Sequence, residues 1–283
     1  MRVAVTGASG FIGRHLIREM IKTDHQVVAI SRHQESLAEF RDLSEIVELD
    51  LEDIDSDIYD RLGRPEALIH LAWGGLPNYK SDSHLDELPM HLEFLEIMIK
   101  SGLELLMVTG TCFEYGMQSG CLSEIDIPKP MNPYGIAKNE LRKEIDKLKL
   151  TYSFKFIWPR LFYTFGKEQA KTSIYSQLQQ SVIDGKRVFG MSGGNQIRDY
   201  LPIEIIVKKL LSLLALKKDI GIVNVCSGHP KTLKDIVEEW KALNDWNIEL
   251  NLGYYQYTDY EPMEFWGSDL KYKQLFEGAT NDA

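Results

Sequence analysis

The chain has 283 residues, 44% hydrophobic and 26% charged, with a formal net charge of −10. That length fits one large α/β domain, or a core domain with a smaller cap, and can bury a sizeable core. The acidic balance argues against nucleic acid as the main partner, because phosphate backbones need a basic footprint, whereas one phosphorylated small molecule needs only one or two placed cations.

In chain order, residues 3–6 read as a buried strand, 11–20 as a helix, and 26–31, 46–50 and 67–71 as strands. Residues 85–100 have helical periodicity, 104–109 form another strand, 134–147 a helix rich in Lys and Glu, and 151–158 a sixth strand. Strands alternating with helices imply βαβ units and a parallel sheet, and the continuous apolar run Val27-Val-Ala-Ile30 suits a sheet covered on both faces. Beyond residue 160 the rhythm changes. Residues 174–184 read as a helix, and 186–201 as a strand, a turn and a return strand. A strongly apolar helix follows at 203–216, then a strand at 221–226 and a helix at 232–243. Residues 277–283 are expected to fray. The expected fold is therefore α/β: a doubly wound parallel sheet over residues 1–160, and a smaller α/β cap over residues 161–283 with some segments returning to the core. The three cysteines, Cys112, Cys121 and Cys226, have no metal-ligand spacing, which predicts reduced thiols and no metal. The apolar run at the N-terminus is too short for a signal-peptide core, and no stretch nears the roughly 20 apolar residues of a membrane span, so the expected location is the cytoplasm with no membrane partner.

Thr6-Gly-Ala-Ser-Gly-Phe-Ile-Gly13 follows the first strand and opens the first helix, with G-x-x-G-x-x-G spacing. Gly7 permits the tight turn, Gly10 lets backbone approach a pyrophosphate, and Gly13 lets helix pack closely on strand. The helix start adds unpaired N–H groups and a partial positive charge. Gly7, Ser9, Gly10, Phe11, Ile12 and Gly13 are thus expected in a Rossmann-type dinucleotide site. At the end of the second strand stand Ser31, Arg32 and His33, with no acid to grip a ribose 2′-hydroxyl. Arg32 could pair with a 2′-phosphate, which favours NADP(H) and leaves NAD(H) possible. Asp50-Leu51 closes the third strand, where an acid could accept from the adenine amino group. His70-Leu71-Ala72-Trp73 closes the fourth, where small residues would let the cofactor lie close, and His70 itself reads as structural.

Tyr134-Gly-Ile-Ala-Lys138 places a Tyr and a Lys one helical turn apart on one face. A nearby ammonium and an oxidised nicotinamide would lower the tyrosine pKa, so Tyr134 could serve as general acid for ketone reduction or as base for alcohol oxidation. Asn132-Pro133 sets a sharp helix start. Thr111, just past the fifth strand in Thr109-Gly-Thr-Cys-Phe-Glu-Tyr-Gly116, could hydrogen-bond the same substrate oxygen, since ligands bind at the carboxyl ends of such strands.

Together these segments resemble the extended short-chain dehydrogenase/reductase family, specifically its NAD-dependent sugar-nucleotide epimerases, dehydratases and reductases. The resemblance is carried in order by T-G-A-S-G-F-I-G, H-L-A, T-G-T-C-F-E-Y-G, N-P-Y-G-I-A-K, P-R-L-F and R-D-Y-L-P-I-E, and runs to about residue 270. It implies that Thr111, Tyr134 and Lys138 are the catalytic set, with Lys138 and Thr109 also at the cofactor. It implies that Pro159-Arg-Leu-Phe162 walls the nicotinamide, and that Arg198 binds the diphosphate of a nucleotide sugar unless it merely pairs with an acid. Cys112 and Tyr163 fall beside the substrate, and loops 76–88, 163–175 and 254–266 would shape the sugar site. The family often dimerises through a helix pair that includes the Tyr–Lys helix, so a homodimer is possible.

Two departures bear on the reaction. Dehydratases carry an Asp-Glu pair after the catalytic Thr, where this chain has Cys112-Phe113; Glu114 comes one position late and is expected to face elsewhere. Many epimerases carry Asn where this chain has Tyr163. The T-G-T-C-F-E-Y-G-M-Q wording is similar to bacterial 4-ketoreductases acting on nucleotide 4-keto-6-deoxyhexoses, which make activated sugars such as dTDP-fucose or dTDP-6-deoxytalose for surface polysaccharides including lipopolysaccharide. The resemblance thus implies NAD(P)H-dependent reduction at C4. The alternatives are a 4-epimerase with tightly bound NAD and a non-enzymatic dinucleotide sensor.

Overall fold

The computed structural model of the chain describes residues 1–277. Its centre is an all-parallel sheet. Read across, the strands are Gly221–Val225, Lys155–Leu161, Leu105–Val108, Ala67–His70, Arg2–Thr6, Gln26–Ser31 and Glu45–Glu48, with the short Gly110–Thr111 also pairing Lys155–Leu161. The strand order reverses beside Arg2–Thr6, the switch point where a doubly wound sheet opens a ligand crevice.

The first strand shows why the apolar runs are continuous. Val3, Ala4 and Val5 are all fully buried. Side chains alternate across a strand, so Val3 and Val5 join one core layer, with Leu16 of the Phe11–Met20 helix and Val207 of the Ile203–Ala215 helix. Ala4 joins the opposite layer, with Phe94 of the Leu88–Lys100 helix and Leu141 of the Pro133–Leu148 helix. Both faces are covered, as a parallel sheet requires. A separate apolar cluster of Tyr175, Leu178, Phe189, Val237 and Trp240 lies between the Ile174–Ile183 and Leu233–Leu243 helices.

Several expectations shift. The strand expected at 151–158 starts at Lys155 and runs to Leu161, because Thr151 and Tyr152 still donate to Leu148 O in the turn that ends the preceding helix. The strand expected at 46–50 is Glu45–Glu48; Asp50 instead caps a short turn at Leu51–Asp53, its carboxylate accepting from Glu52 N at 3.2 Å. The helix expected at 85–100 is two helices, Ser83–Asp86 and Leu88–Lys100, because Pro89 in the first turn of the second has no N–H to continue the first. The strand–turn–return expected over 186–201 does not pair with itself. Val188–Gly190 pairs parallel to Glu249–Asn251, Ile197–Arg198 antiparallel to Lys231–Thr232, and Tyr200–Pro202 parallel to Tyr163–Phe165. A turn alone does not select a partner, and here distant segments supply better ones. The Phe265–Gly267 strand, paired with Gly120–Leu122, and the Leu270–Glu277 helix were not foreseen. Of the end expected to fray, Glu277 closes that helix and residues 278–283 lie outside the described residues.

Candidate active site

Gly7 has φ +67, and a Cβ there would meet Ala72 N at 2.6 Å; a Cβ on Gly13 would meet Gly7 O at 2.3 Å. Both positions exclude any other residue. Gly10 starts the Phe11–Met20 helix with no side-chain cap and no acid in its first turn, so the N–H groups of Phe11 and Ile12 lack side-chain acceptors, while Gly10 N donates to Gly7 O at 3.0 Å. Ser31 Oγ donates to Ser9 Oγ at 3.0 Å, tying this loop to the end of the second strand, where Arg32 is exposed. Across the loop, Ala72 N donates to Thr6 Oγ1 at 3.3 Å, and Leu71, Ala72 and Trp73 are half-buried. Asp50 is half-buried and Leu51 buried at the end of the third strand. A glycine floor that no Cβ fits, under an uncapped helix start, suits the diphosphate of a dinucleotide.

The Tyr–Lys helix starts as its sequence dictates: Asn132 accepts from Gly135 N at 2.7 Å and Pro133 occupies the first turn. This turns Tyr134 into a shell of rings. Its ring centre is 5.6 Å from Tyr79, 5.2 Å from His84, 6.0 Å from Trp73 and 6.3 Å from Phe113. Burial pushes the phenol upward, neighbouring Tyr79 and Cys112 add to that, and the adjacent Thr111 side chain opposes it. Lys138 by itself does not bring the Tyr134 phenol down. The ammonium does not spend its hydrogen bond on the tyrosine; it donates to Thr109 O at 3.0 Å and lies over the Trp73 ring, 3.9 Å from its centre. Fully buried, Lys138 is itself pulled down to about 7 by desolvation, with Glu114 opposing.

Glu114 does face away from the cleft, into the protein. It is fully buried, accepting at Oε1 from Thr111 N at 2.9 Å and Trp158 Nε1 at 2.8 Å, and at Oε2 from Arg160 Nε at 2.8 Å. Thr111 Oγ1 in turn accepts from Phe113 N at 3.2 Å, closing a capping box. His70 is structural as read, within a chain the spacing did not reveal. Thr6 Oγ1 accepts from Ala72 N at 3.3 Å and shares a hydrogen bond with His70 Nδ1 at 2.9 Å, and His70 Nε2 shares one with His91 Nδ1 at 3.0 Å. His91 stacks on Trp73, ring centres 4.4 Å apart.

Tyr79 and His84 come from loop 76–88, and Tyr260 from loop 254–266, with its ring 6.4 Å from both Tyr79 and Phe113. Tyr79 and Tyr260 lie in irregular segments, whose partners no local periodicity announces, and His84 lies on the short Ser83–Asp86 helix. Cys112 is buried behind Thr111, and burial raises its thiol pKa. Tyr163 stacks on Tyr200 at 5.1 Å, and Arg198 lies over the Tyr163 ring at 5.5 Å. Arg198 is 4% exposed, donates to Met263 O at 3.1 Å and is paired with Glu261 at 3.1 Å. Phe162 is not among the rings around Tyr134; it packs with Tyr115 and Phe265.

Residues 3–226 match the model of the NAD dependent epimerase/dehydratase family. The chain belongs to that family. It is an enzyme of the NAD-dependent epimerase/dehydratase kind, within the extended short-chain dehydrogenases/reductases. The chain is similar to a dTDP-6-deoxy-L-talose 4-dehydrogenase (NAD(+)) of Aggregatibacter actinomycetemcomitans, 30% identical over 95% of this chain and 100% of the relative. It is 24% identical to a CDP-abequose synthase of Yersinia pseudotuberculosis, over 98% of this chain and 94% of that one. Its fold is that of the UDP-glucuronic acid 4-epimerase from Bacillus cereus solved with UDP-glucuronic acid and NAD, with a TM-score of 0.80 at 22% identity, covering 98% and 93% of the two chains. Among the described residues no helix is long and apolar enough to cross a membrane.

Proposed function

We propose that this enzyme reduces the C4 ketone of a nucleotide-activated 4-keto-6-deoxyhexose. The observation that carries the reading is Tyr134, set beside Thr111 and one helical turn before Lys138 on the Pro133–Leu148 helix, within an aromatic shell. A protonated phenol at that position can give the proton that ketone reduction requires. A bound reduced nicotinamide supplies the hydride. Tyr134 gives its proton to the oxygen that becomes the alcohol, and Thr111 orients that oxygen. Lys138 binds the cofactor ribose, and its positive charge favours the phenolate that proton transfer leaves. Arg198, with Tyr163 beneath it, holds the nucleotide diphosphate. The relative named as a 4-dehydrogenase of a dTDP-6-deoxy sugar supports this reading, because oxidation of a C4 alcohol is the reverse of the same step. With Cys112-Phe113 after Thr111 there is no carboxyl pair to eliminate water.

The helix start at Gly10 and the glycine floor hold the cofactor diphosphate, with Ser31 and Arg32 toward its adenosine end. The family is described by NAD, and that relative is named for NAD(+). The preference for NADP(H) rests on Arg32 alone. A homodimer through the Leu88–Lys100 and Pro133–Leu148 helices completes the proposal. The test mixes purified enzyme and a dTDP-4-keto-6-deoxyhexose with NADPH or NADH and follows the nicotinamide absorbance and the sugar product. Loss of absorbance with formation of a 6-deoxyhexose is expected. No consumption of either cofactor would sink the reductase reading. Retained NAD with inversion of a C4 alcohol and no net consumption would favour the epimerase instead.

A further inference from the structure

We infer that Glu114 is a positioning residue for Thr111, acting from behind the cleft through the Thr111 backbone. Its carboxylate is completely buried, and all three of its hydrogen bonds serve one arrangement. Oε1 receives the Thr111 N–H and the Trp158 indole, and Oε2 receives the Arg160 guanidinium. Trp158 and Arg160 are two residues apart on the Lys155–Leu161 strand, so they present one face toward this carboxylate. That strand also pairs directly with the segment being held, Gly110 opposite Arg160 and Thr111 opposite Leu161. The site is built to admit the carboxylate. A Cβ on Gly110 would meet Trp158 Nε1 at 2.1 Å and Glu114 Oε1 at 2.5 Å, so only glycine leaves room for both.

Burying an ion pair is a poor way to gain stability, because both ions lose their water. Here the cost is compounded: Arg160 Nη1 and Nη2 have no hydrogen-bond partner and the guanidinium rests on the Tyr115 ring, 4.5 Å from its centre. What the arrangement does supply is a fixed acceptor under the Thr111 amide. With that amide held, and with Thr111 Oγ1 accepting from Phe113 N, the backbone that carries the hydroxyl beside Tyr134 is fixed at both ends of the capping box. A misplacement of about 1 Å in such a group costs roughly a hundredfold in rate.

The inference rests on Thr111 contacting the reacting oxygen, and its test separates the two ideas. Two double variants both remove the buried charge pair: Glu114→Gln with Arg160→Met keeps an acceptor for the Thr111 amide, and Glu114→Leu with Arg160→Met does not. The leucine variant is expected to have a kcat about tenfold or more below the glutamine variant, with the nucleotide-sugar KM little changed. Its Thr111 amide is expected to exchange with deuterium faster. Gly110→Ala, which drives the carboxylate off its seat, should lower kcat in the same way. Equal kcat and equal Thr111 exchange in the two double variants, or an unaltered kcat in Gly110→Ala, would overturn the inference. A wild-type enzyme inactive on the 4-keto sugar would sink the proposed reaction instead, and amide exchange alone then decides the role of Glu114.

Discussion

The Lys138 ammonium lies over the face of Trp73, 3.9 Å from the ring centre, while its hydrogen bond goes to the Thr109 carbonyl at 3.0 Å. The cation–π contact and the single carbonyl do not offset complete burial, and the amine is pulled down to about 7 from its ordinary 10.5.

That depression gives a stability signature. Between pH 7 and 10 the unfolded chain holds a proton on Lys138 that the cofactor-free folded chain has released. Folding stability contributed at this residue should therefore rise with pH across that window, by at most about 1.4 kcal/mol per unit. Urea unfolding of wild type and Lys138→Met at pH 7, 8 and 9 checks this. The wild type should gain on the variant at each step, and parallel curves would show that Lys138 is protonated in the fold.

Tyr134→Phe removes the proposed proton donor but keeps the ring packed against Tyr79 and His84. Cofactor binding should persist while kcat for ketone reduction falls about 10²- to 10⁴-fold. Because burial raises the phenol pKa, the wild-type reduction rate should not fall through loss of the Tyr134 proton anywhere between pH 6 and 9. Full activity in Tyr134→Phe would move the proton transfer elsewhere.

His70 and His91 are held neutral by burial, His91 at about 3. Their folded pKa values lie below the unfolded 6.5, so the stability they contribute is complete above pH 6.5 and is lost as the pH falls from there toward 3. His91→Gln should reduce the loss of unfolding free energy between pH 7 and pH 5 by up to about 2 kcal/mol. An unchanged loss would mean that these rings do not govern acid sensitivity.

Arg32 is exposed at the end of the second strand. If it reads a 2′-phosphate, Arg32→Ala should raise the KM for NADPH about tenfold, the scale of one charge-assisted contact, and leave that for NADH alone. Equal effects on both cofactors, or use of NADH only by the wild type, would remove the NADP(H) preference.

Glu261 occupies the Arg198 guanidinium, 3.1 Å away. On the proposed reading, a diphosphate held by Arg198 has to compete with that carboxylate. Glu261→Gln should therefore bind dTDP several-fold more tightly by calorimetry, and Arg198→Met about a hundredfold more weakly, the scale for losing a buried charge-assisted contact. Unchanged dTDP affinity in Arg198→Met would place the nucleotide elsewhere.

Much of this molecule could be read from short windows of chain. The apolar strands, the glycine turn, and the Asn132-Pro133 helix start depend on local backbone preferences and on side-chain periodicity, which neighbouring residues encode together. Tyr134 and Lys138 fall on one helix for the same reason. Which groups surround them could not be read that way. Glu114 meets Arg160 across 46 residues and Thr6 meets His70 across 64, because the strand order of the sheet brings them together. Val188–Gly190 likewise found its partner at Glu249–Asn251 and not across the adjacent turn. Burial follows from such long-range packing, and burial sets protonation. The four-residue spacing put a tyrosine and a lysine side by side; long-range packing buries both, which raises the pKa of the tyrosine and lowers that of the lysine.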